Sequence, residues 1–171
     1  NANNPTGTRV TRDEVEAFLA RVPRDVVVVL DEAYFEYVEA PDHPDGLALL
    51  PAHPNLVVTR TFSKIHGLAA LRVGYAVSAP PIADLLNRLR QPFNVNALAQ
   101  AAAVAALGDD AYVAESRRLN DEGLALFSEA FTARQLPFIP SSANFVTVRV
   151  GDAGTLYESL LREGVIVRPV A

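Results

Sequence analysis

An unbroken apolar run, VVVVL, extends from Val26 to Leu30, and the polar segment Asp31 to Tyr34 follows it directly. A continuous β-branched run of this length is typical of a strand that lies in a parallel sheet and is buried on both faces. Burial on both faces requires a layer of helices on either side of the sheet. The run therefore restricts the possible folds more than any other segment of the chain.

Two further apolar segments, Leu56 to Arg60 and Val73 to Val77, are also predicted to be strands. Before the first strand, Thr11 to Glu14 has the pattern of a capping box, which predicts that a short amphipathic helix begins there. We expect the apolar face of this helix to carry three residues: Val15, Phe18 and Leu19. The alternation of helices and apolar strands predicts an α/β sheet with crossover connections.

The pattern changes after about residue 80. Helices are predicted at Ile82 to Arg90, Ala97 to Leu107 and Tyr112 to Arg134, the last with Leu119, Leu126 and Phe127 as core candidates. Strands are predicted at Phe145 to Val150 and Val165 to Val167, on either side of a helix near Thr155 to Arg162. This part is typical of a small α+β domain, so we predict two domains, residues 1–95 and 96–171.

Composition excludes several classes of protein. The formal charge of −5, the pI near 5.2 and the absence of a basic run argue against a nucleic-acid partner. No segment approaches the ~18 apolar residues that cross a bilayer, so we expect no membrane partner. Cysteine is absent, which excludes disulfides and thiolate metal sites and fits a cytoplasmic protein. Methionine is absent too, and Asn1 opens directly into a turn, so we expect a fragment or a processed chain.

The chain contains one lysine, Lys64, and fourteen arginines. A guanidinium keeps its proton near neutral pH, whereas an amine can lose its proton and attack a carbonyl. A single remaining lysine on an arginine-rich chain can equally be a surface residue. The residues around Lys64 decide between these interpretations.

Three polar motifs lie at the predicted carboxyl ends of strands or in the loops beside them, where open α/β sheets bind ligands. They are NNPTG (Asn3 to Gly7), DEAY (Asp31 to Tyr34) and TFSK (Thr61 to Lys64), and Arg72 follows the lysine after eight residues. Each motif alone has an ordinary interpretation as a turn, a strand exit or a surface charge. Together they supply the groups that pyridoxal 5′-phosphate requires.

Each group of that cofactor has a candidate partner in the chain. Lys64 supplies the amine for its aldehyde, and Asp31 supplies the anion that keeps the ring nitrogen protonated. Asn4 and Tyr34 are candidates for the ring hydroxyl. The phosphate requires a forked cation and hydroxyl groups, and the candidates are three: Arg72, Ser63 and Thr61.

The order of these motifs resembles the fold-type I aminotransferases. The segments SKIHGLAALRVGY and QPFNVNALAQAAAVAAL are most similar to the histidinol-phosphate aminotransferase family within their class II branch. The resemblance extends from Asn1 to Val170 and implies a C-terminal part of the fold of those enzymes. That fold is α/β, with a parallel-rich sheet in the large cofactor-binding domain and a small α+β domain after it. Ala2 and Ala70 depart from the family pattern, which has proline and glycine there, but neither removes a chemical group.

The resemblance also implies roles for the residues. Lys64 would bond to the cofactor aldehyde and later move the substrate proton. Asp31, Asn4 and Tyr34 would hold the ring, and Ser63, Arg72 and Thr61 the phosphate. Arg168 would bind an anion of the substrate, and Asn144 would line the same cleft, although a strand-end charge and a strand-start cap are the ordinary interpretations of these two.

The implied reaction transfers an amino group from L-histidinol phosphate to 2-oxoglutarate, in a cytoplasmic homodimer of histidine biosynthesis. Family members are about twice this long, and their other half completes the pocket, so we expect little or no activity from the 171 residues alone. Three alternatives remain open at this point: an aromatic amino-acid aminotransferase, a threonine-phosphate decarboxylase, and a cofactor-sensing domain of a regulator.

Overall fold

A computed structural model describes residues 1–170 of the chain. Its first part contains three strands and three helices, in the order α1 (Arg12–Leu19), β1 (Val28–Asp31), α2 (Gly46–Leu49), β2 (Leu56–Thr61), β3 (Gly74–Ser78) and α3 (Pro80–Leu89). Its second part continues with α4 (Ala97–Leu107), α5 (Asp110–Ala133), β4 (Phe138–Ile139), β5 (Thr147–Val148) and α6 (Ala153–Arg162). The predicted α/β class is confirmed.

The first three strands form one mixed sheet in the order β1-β2-β3. β1 and β2 are parallel, with Val28 opposite Leu56 and Asp31 opposite Thr59. β3 is antiparallel to β2. The parallel register places the carboxyl ends of β1 and β2 at the same edge of the sheet, and those ends carry Asp31 and Thr61.

α1 forms where the capping box predicts it. Thr11 accepts a hydrogen bond from the backbone of Glu14, and the Glu14 side chain accepts one from the backbone of Thr11. Val15 and Leu19 are buried against Leu56 of the sheet, as predicted. The prediction for Phe18 is wrong, because this side chain is 57% exposed. Phe18 lies one position before Leu19, and a turn of about 100° per residue takes it off the face that contacts the sheet.

We predicted that the apolar run of β1 is buried on both faces, and this prediction is wrong. Val28 and Leu30 pack towards the cluster that α1 covers, whereas Val29 is 60% exposed. Successive side chains of a strand point to opposite faces, so one layer of helix covers only alternate residues. Among residues 1–170, one face of β1 is covered and the other carries the exposed Val29.

The helices of the second part occur where the sequence predicts them, and α4 has the predicted bounds, with Asn96 capping its N-terminus. The predicted core role of Leu119, Leu126 and Phe127 in α5 is wrong, because all three are exposed. Within the described residues, α5 has too few neighbours to bury its apolar face at these positions.

The strand predictions at the end of the chain are correct only in part. The segment Phe145 to Val150 is extended into a ladder only at Thr147–Val148, which pairs with Phe138–Ile139. Residues 165–167 do not form a strand, because no described strand lies beside them to supply ladder hydrogen bonds.

The two parts of the chain are in direct contact. Ala99 and Ala103 of α4 are buried against Phe62 and Val73, which lie on either side of the loop between β2 and β3. From α5, the Arg117 Nε donates a hydrogen bond of 2.7 Å to a backbone carbonyl in the 3₁₀ turn that follows β1. Across residues 1–170, the structure contains no helix long and apolar enough to cross a membrane.

Candidate active site

Asp31 is the last residue of β1, at the edge where β2 also ends. Its Oδ1 accepts a hydrogen bond of 3.0 Å from the backbone nitrogen of Ala33, which turns the chain away from the sheet. The residue remains exposed, so the carboxylate is accessible to a ligand beside the sheet edge. The structure thus places Asp31 where open sheets of this kind bind ligands.

Asn4 and Tyr34 meet beside this edge although they are thirty residues apart. The Asn4 Nδ2 donates a hydrogen bond of 2.9 Å to the Tyr34 hydroxyl. The Tyr34 ring is buried against Ala2 and Ala143, and it meets the Phe145 ring edge-on at 5.4 Å between centroids. Packing from both parts of the chain therefore fixes the orientation of the tyrosine.

Lys64 follows β2 in a short loop whose neighbours are buried. Phe62 and Ile65 on either side of it are almost fully buried, so the backbone of the loop is held against the core. The Lys64 Nζ lies 5.4 Å from the centroid of the Tyr34 ring. An ammonium at this distance is attracted to the face of an aromatic ring. The amine therefore lies beside the Tyr34 ring, whose hydroxyl is the partner of Asn4.

The three candidates for the phosphate also lie together. The backbone nitrogen of Ser63 donates a hydrogen bond of 3.0 Å to the Thr61 hydroxyl. The Arg72 Nη1 donates to the Ser63 hydroxyl at 3.5 Å and to the Ala69 carbonyl at 2.8 Å. Arg72 follows a 3₁₀ turn and has a left-handed backbone with φ of +52°. A forked cation beside two hydroxyls is a suitable set of groups for a phosphate.

The two candidates from the second part of the chain are placed differently. Asn144 is exposed, and it directly follows Ala143, which is buried in the same cluster as Tyr34. Arg168 lies exposed in the coil after α6, and within residues 1–170 it forms no hydrogen bond or ion pair. The structure thus brings Asn144 towards the site but does not bring Arg168 to it.

Sequence reasoning missed a buried ion pair directly behind the site. Arg60 contacts Glu32 at 2.8 Å and Asp45 at 2.9 Å. Burial raises the pKa of Glu32, and hydrogen bonds from Gly46 and Arg60 oppose the rise. The sequence does contain a signal for this pair. Glu32 and Arg60 are oppositely charged, lie at the ends of neighbouring strands, and are each adjacent in sequence to a candidate site residue.

The assembled groups suit one kind of ligand. They provide an amine, an acid, a phenol with an amide partner, and a cation with hydroxyls, all along one sheet edge. Across the described residues there is no cluster of histidine and carboxylate side chains suited to a metal ion. An amine, a carboxylate and a phosphate-binding set match the aldehyde, ring nitrogen and phosphate of pyridoxal 5′-phosphate. The donor set therefore fits this cofactor.

Comparison with known proteins agrees with this assignment. The chain belongs to the aminotransferase class I and II family, whose pattern matches residues 1–171. Over its full length it is 62% identical to "Histidinol-phosphate aminotransferase 2" of Pseudomonas aeruginosa, of which it covers 47%. The chain thus spans about half the length of the curated relatives it matches.

Two solved structures are similar over nearly the whole chain. One is the histidinol-phosphate aminotransferase of Sinorhizobium meliloti in complex with pyridoxal-5′-phosphate, with a TM-score of 0.90 and 32% identity. The match covers 100% of this chain and 48% of that one. The other is the L-threonine-O-3-phosphate decarboxylase of Porphyromonas gingivalis, with a TM-score of 0.84 and 27% identity over 98% of this chain and 52% of that one.

Proposed function

We propose that this chain forms part of a histidinol-phosphate aminotransferase that uses pyridoxal 5′-phosphate. The reaction interconverts L-histidinol phosphate and 2-oxoglutarate with imidazole-acetol phosphate and L-glutamate, in histidine biosynthesis. The observation that carries the proposal is the position of the Lys64 Nζ, 5.4 Å from the centroid of a Tyr34 ring that Asn4 holds by a hydrogen bond. This is the chain's one lysine, and it lies beside a phenol.

The roles follow from the chemistry of each group. When bound, the cofactor supplies an electron-accepting ring that stabilises negative charge on the amine-bearing carbon of the substrate. Asp31 provides the negative charge beside the ring nitrogen, and Asn4 and Tyr34 orient the ring through its oxygen. Ser63 and Arg72, with Thr61, bind the phosphate. The Lys64 Nζ would bond to the cofactor aldehyde with loss of water. Once the substrate's amine has displaced it from that carbon, the free Lys64 amine would move the proton at the substrate's amine-bearing carbon.

Arg168 and Asn144 are proposed to contact the substrate. A guanidinium suits either the phosphate of histidinol phosphate or the carboxylate of glutamate. The exposed position of Arg168, in coil after α6, requires that this segment approach Lys64 when substrate is bound. We also propose the division into residues 1–95 and 96–171, a cytoplasmic location and a homodimer for the complete enzyme.

The isolated 171 residues are expected to have little or no activity. They cover about half the length of the similar aminotransferases, and the exposed Val29 of β1 marks a sheet face that needs further covering. Ordinary turnover by this piece alone would contradict the expectation.

A second candidate is decarboxylation of a phosphorylated threonine. The similarity to the Porphyromonas gingivalis decarboxylase, at a TM-score of 0.84, supports it. Both reactions use the same cofactor groups and differ in which substrate bond lies perpendicular to the ring. Assays with histidinol phosphate, threonine phosphate and phenylalanine therefore decide between the two candidates and an aromatic aminotransferase.

The test of cofactor binding uses the protein produced from its complete gene. We expect it to bind pyridoxal 5′-phosphate with a visible absorbance band that borohydride removes. Lys64→Arg keeps the charge and abolishes the band, because a guanidinium cannot bond to the aldehyde. The control adds Arg118→Lys to Lys64→Arg, which restores a lysine at an exposed position on α5. A band in Lys64→Arg, or its return in the double variant, would disprove the role of Lys64.

A further inference from the structure

A buried ion pair joins the ends of the two parallel strands that carry the candidate site. The Arg60 Nε donates to Glu32 Oε2 at 2.9 Å, and its Nη2 lies 2.8 Å from the same oxygen. The same Nη2 donates to Asp45 Oδ1 at 2.9 Å. The Glu32 side chain is fully buried and that of Arg60 is 11% exposed, so water has little access to the contact between them, whereas the Asp45 side chain is 46% exposed.

The contacts extend to a third segment. The second carboxylate oxygen of Glu32 accepts a hydrogen bond of 2.7 Å from the backbone nitrogen of Gly46, at the start of α2. A Cβ at Gly46 would come within 2.9 Å of that oxygen, so any other residue there would force the surrounding side chains to move. On the other side, the guanidinium carbon of Arg60 lies 3.8 Å from the centroid of the Phe35 ring. The pair therefore links the end of β1, the end of β2 and the start of α2.

The position of the pair relates it directly to the site. Glu32 follows Asp31, and Arg60 precedes Thr61. Successive side chains of extended backbone point to opposite faces, so the pair lies on the opposite face from Asp31 and Thr61. A hydrogen bond of 2.8 Å from the Glu32 nitrogen to the Thr59 carbonyl continues the register to this point. Glu32 and Arg60 are thus each joined by a single peptide bond to a candidate cofactor ligand.

Stability alone does not account for such a pair. The cost of desolvating two charges often cancels their attraction, so a buried pair commonly adds little to folding free energy. Burial lowers the pKa of Arg60, but the hydrogen bond and charge of Glu32 outweigh this and raise it overall. A pair that contributes little net stability can still hold two strand ends in one geometry.

We propose that the Glu32–Arg60 pair is a positioning device that fixes Asp31 relative to the segment Thr61 to Lys64, and so determines how tightly and in what orientation the cofactor is held. Neither residue touches the cofactor in this proposal. It rests on the proposed function, since it requires that Asp31 and Lys64 hold the same ligand.

The test compares three variants of the protein made from its complete gene. Glu32→Gln with Arg60→Met removes both charges, leaves no lone buried charge, and keeps an oxygen for Gly46. Arg60→Lys retains a cation but loses the fork that contacts both carboxylates. The control is Arg118→Met, which also separates an arginine from two carboxylates, Glu115 and Glu122, but on the exposed face of α5.

The measurements are the dissociation constant of pyridoxal 5′-phosphate, the visible circular dichroism of the bound cofactor and the urea midpoint. We expect the double variant to bind the cofactor about 10-fold more weakly, by analogy with the loss of metal affinity when residues behind metal ligands are changed. Its visible dichroism should change amplitude, and Arg60→Lys should fall between it and the wild type. Arg118→Met should match the wild type.

The outcomes separate the two proposals. A wild-type protein without a Lys64-dependent band contradicts the proposed function. A wild-type band together with unchanged affinity and dichroism in the double variant contradicts the positioning role alone. If the double variant does not fold, unchanged affinity and dichroism in Arg60→Lys overturns the role instead.

Discussion

The side-chain amide of Asn4 donates a hydrogen bond of 2.9 Å to the Tyr34 hydroxyl, across thirty residues of sequence. This bond joins the turn at the start of the chain to the segment that follows β1. The Tyr34 ring is buried, and the Lys64 Nζ lies beside it. Asn4, Tyr34 and Lys64 are therefore in contact in sequence order, so a change at Asn4 is expected to alter the position of the Tyr34 ring beside Lys64.

We expect Asn4→Ala and Tyr34→Phe to weaken binding of pyridoxal 5′-phosphate and to be non-additive when combined. Residues in one hydrogen-bond network typically show coupling energies of about 0.5–3 kcal/mol. The measurement is a double-mutant cycle on the cofactor dissociation constant in the protein from its complete gene. Additive effects would mean that the two side chains act independently on the cofactor.

Gly7 permits a close approach between the two parts of the chain. It has φ of +72°, and an added Cβ would overlap the Ser141 side chain. We expect Gly7→Ala to reduce the free energy of unfolding by more than the roughly 1–2 kcal/mol of a left-handed alanine. Urea denaturation measures this loss.

Gly151→Ala is the matched control for Gly7→Ala. Gly151 has a similar φ of +76°, but nothing lies within 4 Å of its added Cβ, so only the backbone cost should appear. Combining Gly7→Ala with Ser141→Gly should recover part of the loss. If Gly7→Ala and Gly151→Ala lower the free energy of unfolding equally, the expected clash with Ser141 does not occur.

Leu56 is the first residue of β2, and its fully buried side chain packs against α1. Leu56→Ala is expected to cost about 2–5 kcal/mol of unfolding free energy, because it leaves a cavity in the core. Leu89→Ala, at a residue 82% exposed in α3, should change stability by less than about 0.5 kcal/mol. A similar cost for both would show that the surface at Leu89 is covered in solution.

The capping box of α1 should make stability depend on pH. Hydrogen bonds from the Thr11 backbone and hydroxyl lower the pKa of Glu14 below its usual value. A carboxyl with a lowered folded-state pKa contributes stability that is present above its unfolded pKa and is lost as pH falls through the folded one. We therefore expect Glu14→Gln to destabilise the protein more at about pH 6 than at about pH 3.

Urea midpoints at the two pH values check this prediction, and Glu16→Gln on the same helix, outside the capping box, is the control. Thr11→Ala should destabilise the helix by about 1 kcal/mol at neutral pH, since it removes the cap itself. A Glu14→Gln effect that is the same at both pH values would contradict the role of the carboxylate.

Local sequence predicted the longer helices and the three strands of the first sheet. The capping box marks the start of α1, Asn96 marks the start of α4, and Gly108 its end, because these residues satisfy the free backbone groups of helix ends. The ends of β1 and β2 were predictable from the change from apolar to polar residues. Parallel strands that end together bring Asp31 close to the segment Thr61 to Lys64.

Contacts between distant segments determined the rest. Hydrophobic periodicity identifies which residues can be buried, but whether Phe18, Val29 or Leu126 is covered depends on which element lies against it. The pairing of Arg60 with Glu32 depends on the register of two strands, which no local pattern encodes. The types of chemical group at the site are thus readable in the sequence, whereas their distances and partners arise only when packing brings separate segments together.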